Sequence, residues 1–288
     1  MQESKQYKKR LKFFEDIIQN FKHTRISKLI VRHKINQKLF LKLQQSSKKF
    51  LQKSKKFNFK NLTPNGRLAP KVELEEEFNN YVYDYIQIIN SINLKNKLLN
   101  FIAPSLRLKV KESLIINKEN KNKSDLIHSD CWTGRSENSI LFMLPISGDF
   151  KNNFVNFYET PKTITLDWLK KKNFSSANQN LNSRLNLLEK NYKPGYLYVA
   201  DITTPHSTCI KKNANNRLSI DSPLMFKSKY FKNRFKRNHK LVRKKETIID
   251  VEQINKLKKK YILKCSFNIN QKELYGRNSK PIYFLKKL

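Results

Sequence analysis

The sequence predicts an α+β fold: a β-sandwich or jelly roll braced by helices, with basic segments at both ends. Three observations predict it. Helical periodicity dominates the first hundred residues and returns only in short stretches, over 166–190 and near the C-terminus. From about residue 105 the chain breaks into some eight short β-like runs with turn signals between them. Hydrophobic residues make up 38% and aromatics 11% of 288 residues, enough for a packed core.

Residues 5–58 read as helical, with apolar residues at three- and four-residue steps through LIVRHKINQKLFLKLQQSSKKFL and lysines on the other face. Pro64, Gly66 and Pro70 break this pattern. A long amphipathic helix is expected from Val72, through VELEEEFNNYVYDYIQIINSI, its acidic start suiting a helix N-terminus. The β-like runs are SLIIN, DLIHSD, SILFMLPI, NFVNFYE, TITL, GYLYVADI, HSTCI and RLSIDSPLMF, separated by Ser147-Gly148-Asp149, Pro161, Pro194-Gly195 and residues 213–216. Residues 166–190, beginning LDWLKKK, should interrupt the strands as helix, and another helix is expected near VEQINKLKKKYIL. The expected organisation is a basic helical region over 1–104, a β core over 105–226 and a basic C-terminal extension over 227–288.

Charge divides along the same lines. Residues 1–60 hold 18 Lys and Arg against 3 Asp and Glu, and residues 228–288 hold 19 against 4, a net of +15 each. The middle of the chain carries the remaining +7 of the total +37. Such flanks can hold a polyanion, nucleic acid or an anionic surface, or they can be lysine written wherever a solvated position permits. No run of about 18 apolar residues occurs, so no membrane span is expected. Three widely spaced cysteines without a CxxC motif fit a reduced, cytoplasmic setting. No P-loop or GxGxxG pattern is present.

Two of the five histidines lie in β-like context in the least charged part of the chain. His128 and Asp130 sit two apart, so in a strand they would share a face and could approach one ion together. A histidine bonded to a nearby aspartate in a turn is the commoner meaning of such a pair. His206, in TTPHSTCI, could supply a third ligand from another strand. Two histidines and one carboxylate on one face of an octahedron leave three positions open, the facial triad of non-haem Fe(II) sites. Arg217 follows His206 by eleven positions, with Ser219 two further on the same strand face. A fork-shaped guanidinium and a hydroxyl suit the far carboxylate of a chelating dicarboxylate.

His128-Ser-Asp130, His206 and Arg217-Leu218-Ser219 together resemble the signature of the 2-oxoglutarate/Fe(II)-dependent oxygenases. The resemblance covers roughly residues 105–226. It implies a double-stranded β-helix, a jelly roll with Fe(II) held at its mouth by His128, Asp130 and His206. It further implies that Arg217 and Ser219 bind 2-oxoglutarate as cosubstrate, and that O2 oxidises a small-molecule substrate as 2-oxoglutarate is decarboxylated. The longer stretch HSDCWTGRSENSILFMLPISGD is similar to a bacterial subgroup from carbohydrate and antibiotic-sugar gene clusters, which implies a sugar or nucleotide-linked sugar as substrate. Trp132 is a candidate for the substrate pocket or for closing the barrel. Asn156 and Tyr158 are candidates for the pocket or plain inward strand residues. Cys131 and Cys209 lie beside ligands but off their face, as buried bystanders. Two other readings remain: a nucleic-acid-directed oxygenase and a non-catalytic basic binding protein. The demethylases of alkylated bases carry R-x-N-x-T-x-R where this chain has Arg217-Leu-Ser-Ile-Asp221, which argues against the first. Residues 1–20 and the tail beyond about 270 are expected to be dispensable for the chemistry.

Overall fold

The structure is a computed structural model describing residues 2–62, 66–68, 72–94, 97–102, 104–109, 125–170, 185–188, 192–231, 248–249, 261–266 and 282–287. The described residues include three α-helices: α1 (Lys5–Ile18), α2 (Gln37–Lys56) and α3 (Glu75–Ser91). Ser4 caps α1 through Tyr7 N, and Asn36 caps α2 through Lys38 N and Leu39 N, satisfying donors that have no partner within the helix.

The strands are β1 (Thr24–Ser27), β2 (Ile30–Lys34), β3 (Leu98–Ile102), β4 (Ser105–Lys109), β5 (Ser139–Gly148), β6 (Asn153–Phe157), β7 (Tyr196–Asp201), β8 (His206–Ile210), β9 (Arg217–Phe226) and β10 (Ile248–Ile249). A further ribbon pairs β11 (Tyr261–Ser266) with β12 (Ile282–Lys287). The large antiparallel sheet runs β1-β2-β7-β5-β9-β3-β10, with β4 also on β9. The small sheet is β6 with β8, extended by bridges His128↔His206 and Tyr158↔Leu187. From β5 to β9 successive strands alternate between the two sheets, which makes the core a double-stranded β-helix.

Alternation along the strands divides the apolar residues between two layers. Leu141 and Met143 of β5 and Tyr198 and Ala200 of β7 face Val155 and Phe157 of β6 inside the barrel. On the opposite face, Ile140, Phe142, Leu144, Val199 and Ile220 pack against Phe14, Leu43, Phe50, Tyr81 and Tyr85 of the helices. That explains why SILFMLPI has no polar face: it is covered on both sides. Each large side chain so buried contributes about 1.5–3 kcal/mol, so the helices form one core with the barrel.

The structure departs from the sequence expectation in several places. Residues 24–34 form the β1–β2 hairpin, where helix was expected through 5–58. Ile30 faces the barrel and Val31 the helices, and β2 pairs with β7 along its whole length, so burial on both faces and pairing outweigh the helix-like spacing. Strands β1, β2 and β3, all from residues 1–104, thus belong to the same sheet as β7 and β9. TITL is not a strand, and LDWL forms only one 3-10 turn (Leu166–Leu169). Of the helix expected over 166–190, residues 185–188 are not helical and residues 171–184 and 189–190 lie outside the described residues, as do SLIIN and residues 250–260. Residues 261–263, expected as helix, are strand.

Candidate metal centre

His128 and His206 are drawn together by the backbone before any side chain acts. His128 N donates to His206 O at 3.0 Å and His206 N donates to His128 O at 2.9 Å. Directly opposed residues in such a pair project to the same face, and the two rings lie 4.4 Å apart between centroids. Asp130 follows on the first residue of a 3-10 turn (Asp130–Thr133) and so reaches the same place from a turn rather than from a strand. Among the described residues, ligand atoms of His128, Asp130 and His206 lie within 4.8 Å of one another, and all three residues are buried.

The donor set fits a metal ion. His128 Nδ1 meets Leu126 O at 2.8 Å and His206 Nδ1 meets Thr204 O at 3.1 Å. A carbonyl can only accept, so each Nδ1 carries the proton, and each Nε2 lone pair is left for the ion. His206 Nε2 stands 4.0 Å from Asp130 Oδ1. Burial, reinforced by the neighbouring His206, pushes the His128 imidazole down to about 4, so it is neutral at physiological pH, as a ligand must be. Burial also pushes the Cys131 thiol up, away from the thiolate a zinc site would use.

Deeper in the barrel, Arg217 opens β9 with only 2% of its surface exposed. Gly148, at φ +116, allows this: a side chain there would collide with the Asn216 carbonyl. The Tyr192 ring lies 5.4 Å from the guanidinium, and Ser219 is also buried. Nε and Nη1 of Arg217 are buried without a hydrogen-bond partner. A desolvated guanidinium with unsatisfied donors is costly unless an anion completes it. Arg107, on the same barrel face, is paired with Asp221 at 2.8 Å. Lys109, directly opposite Arg217 in the β4–β9 register, is pushed down to about 7 by burial and then by Arg107.

The other candidate pocket residues are Trp132, Asn156 and Tyr158. Trp132 is 1% exposed, packs edge-on to Trp168 at 5.1 Å and donates Nε1–H to Trp168 O at 2.8 Å. It packs with Cys131, Ile202 and Trp168 in a small cluster of its own beside Asp130. Phe157, paired with His206, faces the cluster, so Asn156 and Tyr158 on either side of it project from the opposite face. There the Tyr158 hydroxyl meets Ser207 Oγ at 3.4 Å. Both positions follow from the period of two along β6.

Two charged residues at the site were not singled out from the sequence. Gly134, at φ +83, ends the 3-10 turn and reverses the chain, so that Arg135 Nε returns to 3.2 Å from Asp130 Oδ2. Arg10 of α1 forms a fully buried ion pair with Asp201 at the end of β7. Its signal is visible in retrospect: Arg10 lies on the same helical stripe as Tyr7, Phe14 and Ile17.

A double-stranded β-helix with a convergent His–Asp–His group and a buried arginine behind it is the class of protein that fold and site define, and it resembles the 2-oxoglutarate/Fe(II)-dependent oxygenases. Solved structures similar to this chain include the non-heme alpha ketoglutarate dependent carbocyclase SnoK from nogalamycin biosynthesis, at 10% identity, covering 77% of this chain and 83% of that one, with a TM-score of 0.48. The epimerase SnoN in complex with Fe3+, alpha ketoglutarate and nogalamycin RO is similar at 8% identity over 75% and 83%, with a TM-score of 0.43. EctD from S. alaskensis with 2-oxoglutarate and 5-hydroxyectoine is similar at 11% identity over 68% and 71%, also with a TM-score of 0.43. No protein-family model and no curated protein matches the sequence. At such identities the chemistry rests on the site itself. Among the described residues, no helix is long and apolar enough to cross a membrane.

Proposed function

We propose that this protein is an Fe(II)- and 2-oxoglutarate-dependent oxygenase acting on a small polar molecule, with a sugar or nucleotide-linked sugar as its substrate. The observation that carries the reading is Arg217: a buried guanidinium with two donors unpaired, in the same barrel as three convergent metal ligands. A dicarboxylate bound at one end beside the ligands and at the other by Arg217 and Ser219 satisfies both features at once. The sugar class is supported by the HSDCWTGRSENSILFMLPISGD motif alone.

In this reading His128, Asp130 and His206 hold Fe(II), which with O2 supplies the oxidation and the decarboxylation of 2-oxoglutarate to succinate. The chain's own groups do the rest. The Leu126 and Thr204 carbonyls orient the imidazoles, and Arg135 holds the outer oxygen of Asp130. Arg217 fixes the distal carboxylate by charge and by direction. Phe157 and Tyr198, stacked with centroids 5.9 Å apart, wall the barrel with apolar surface that excludes water. The test is succinate formation that requires both Fe(II) and 2-oxoglutarate and is lost in Asp130→Ala, followed by a panel of free and nucleotide-linked sugars. Fe(II)-independent turnover, or an unaltered Asp130→Ala, would overturn it.

A further inference from the structure

We infer that Arg10, in the N-terminal helix, is a positioning residue for the metal centre, because it clamps together the two chain segments that carry the three ligands. The inference rests on the metal-centre reading above and adds a residue from outside the barrel.

The guanidinium grips both segments. Arg10 Nε lies 3.0 Å from each carboxylate oxygen of Asp201, and Nη2 also meets Oδ2. Nη1 donates to the Glu137 carbonyl, where the segment bearing His128 and Asp130 enters β5. Neither Arg10 nor Asp201 side chain has any solvent exposure. Phe231 and Phe13 flank the guanidinium at 4.6 and 5.1 Å, so its position is set by packing as well as by charge.

From Asp201 the connection to the ligands is continuous. Asp201 Oδ1 accepts from Thr203 N at 2.9 Å and from Thr203 Oγ1 at 2.6 Å, folding residues 201–204 into a fixed turn. The carbonyls of that turn then receive the ligand segments. Ile202 O accepts from Cys131 N at 3.2 Å, beside Asp130. Thr203 O accepts from Ser129 Oγ at 2.8 Å, between His128 and Asp130. Thr204 O accepts from His206 Nδ1 at 3.1 Å. One carboxylate thus sets three carbonyls, and each carbonyl holds a ligand or its immediate neighbour. Partners of this kind tune a site by fixing the direction of its ligands, and their loss costs about 10–100-fold in metal affinity.

Cobalt(II) binding by the full chain tests this, read from its ligand-field absorption without turnover. The wild-type chain should bind one Co(II), with a spectrum lost in His206→Ala. Arg10→Met should weaken Co(II) binding about 10–100-fold and alter the spectrum, and Arg10→Lys should recover part of the loss. Thr203→Val, which removes one bond to Asp201 and leaves the ion pair, should weaken binding several-fold with a changed spectrum. Phe50→Ala, destabilising the α2–α3 contact away from the site, should lower thermal stability yet leave Co(II) affinity and spectrum unchanged. If Thr203→Val and any folded Arg10 variant bind Co(II) as the wild type does, or if Phe50→Ala weakens it equally, the clamp is refuted. A wild-type chain that binds no Co(II) refutes the metal centre itself, a result distinct from either.

Discussion

His128 and His206 exchange both of their backbone hydrogen bonds, although 78 positions separate them and no named strand contains them both. This single antiparallel bridge puts two imidazoles on one face with their centroids 4.4 Å apart. Burial, with the second ring beside it, makes His128 resist protonation.

The stability of the metal-free protein should therefore depend on His128. Its folded value, about 4, lies below the ordinary histidine value of 6.5, so the unfolded chain takes up the proton first as pH falls. The contribution is complete above about pH 6.5 and is lost progressively towards pH 4, amounting to about 3 kcal/mol at most. Urea unfolding of the metal-free chain at pH 7.5 and pH 5 should show this loss, and His128→Gln should show a clearly smaller one. Equal pH dependence in the two chains would refute the assignment.

Arg217 should trade stability for binding. Arg217→Lys keeps a charge but loses the fork, and should weaken 2-oxoglutarate binding at least tenfold while changing metal affinity little. Arg217→Met removes a buried charge with unpaired donors and should raise the stability of the ligand-free protein by about 1–4 kcal/mol. Calorimetric 2-oxoglutarate titration and denaturant melts check both. A destabilised Arg217→Met would show that the guanidinium is already satisfied in the empty barrel.

Trp132 should prove to be packing. Trp132→Phe removes the Nε1–H bond to Trp168 O and should cost about 1 kcal/mol. Substrate KM should stay within twofold. A tenfold rise in KM without a stability change would return Trp132 to the substrate pocket.

Basicity and chemistry should separate. Lys48, Lys49, Lys55 and Lys56 are exposed on α2, away from the barrel interior, whereas Lys53 meets Glu77 at 3.4 Å. Reversing the first four to Glu should sharply reduce retention on a polyanion column, with a shallower salt dependence. Succinate formation should be unchanged. Turnover stimulated by DNA or RNA and lost in this variant would instead favour a nucleic-acid substrate.

The barrel was legible because alternation along strands is a local signal, and His128, Asp130 and His206 stood out by their ligand chemistry, although Asp130 joins the group from a 3-10 turn and not from a strand face. SILFMLPI and RLSIDSPLMF fall on β5 and β9, their turns marked by Gly and Asn. The β1–β2 hairpin was not legible. Leu29-Ile30-Val31 fits a helix stripe and a doubly covered strand equally well, and only β7, some 170 residues later, decides between them. Asn156 and Tyr158 needed the register of β6 against β8, which fixes the face. The role of Arg10 within residues 1–20 was hidden for the same reason. Arg10 looks like one more basic residue until Asp201, 191 positions away, is folded against it.

That separation also orders the events of folding. Arg10 leaves the ribosome well before Glu137 and Asp201, which lie 127 and 191 positions further on. Until those partners exist, α1 has nowhere to bury its guanidinium, and the apolar stripe around it stays in contact with water. Contacts so distant in sequence form late, after their loops have closed. A nascent chain stalled before Asp201 therefore carries His128 and Asp130 with neither His206 nor the turn of residues 201–204 that orients it. Until His206 has been made, the three-residue group that could hold a metal ion does not exist.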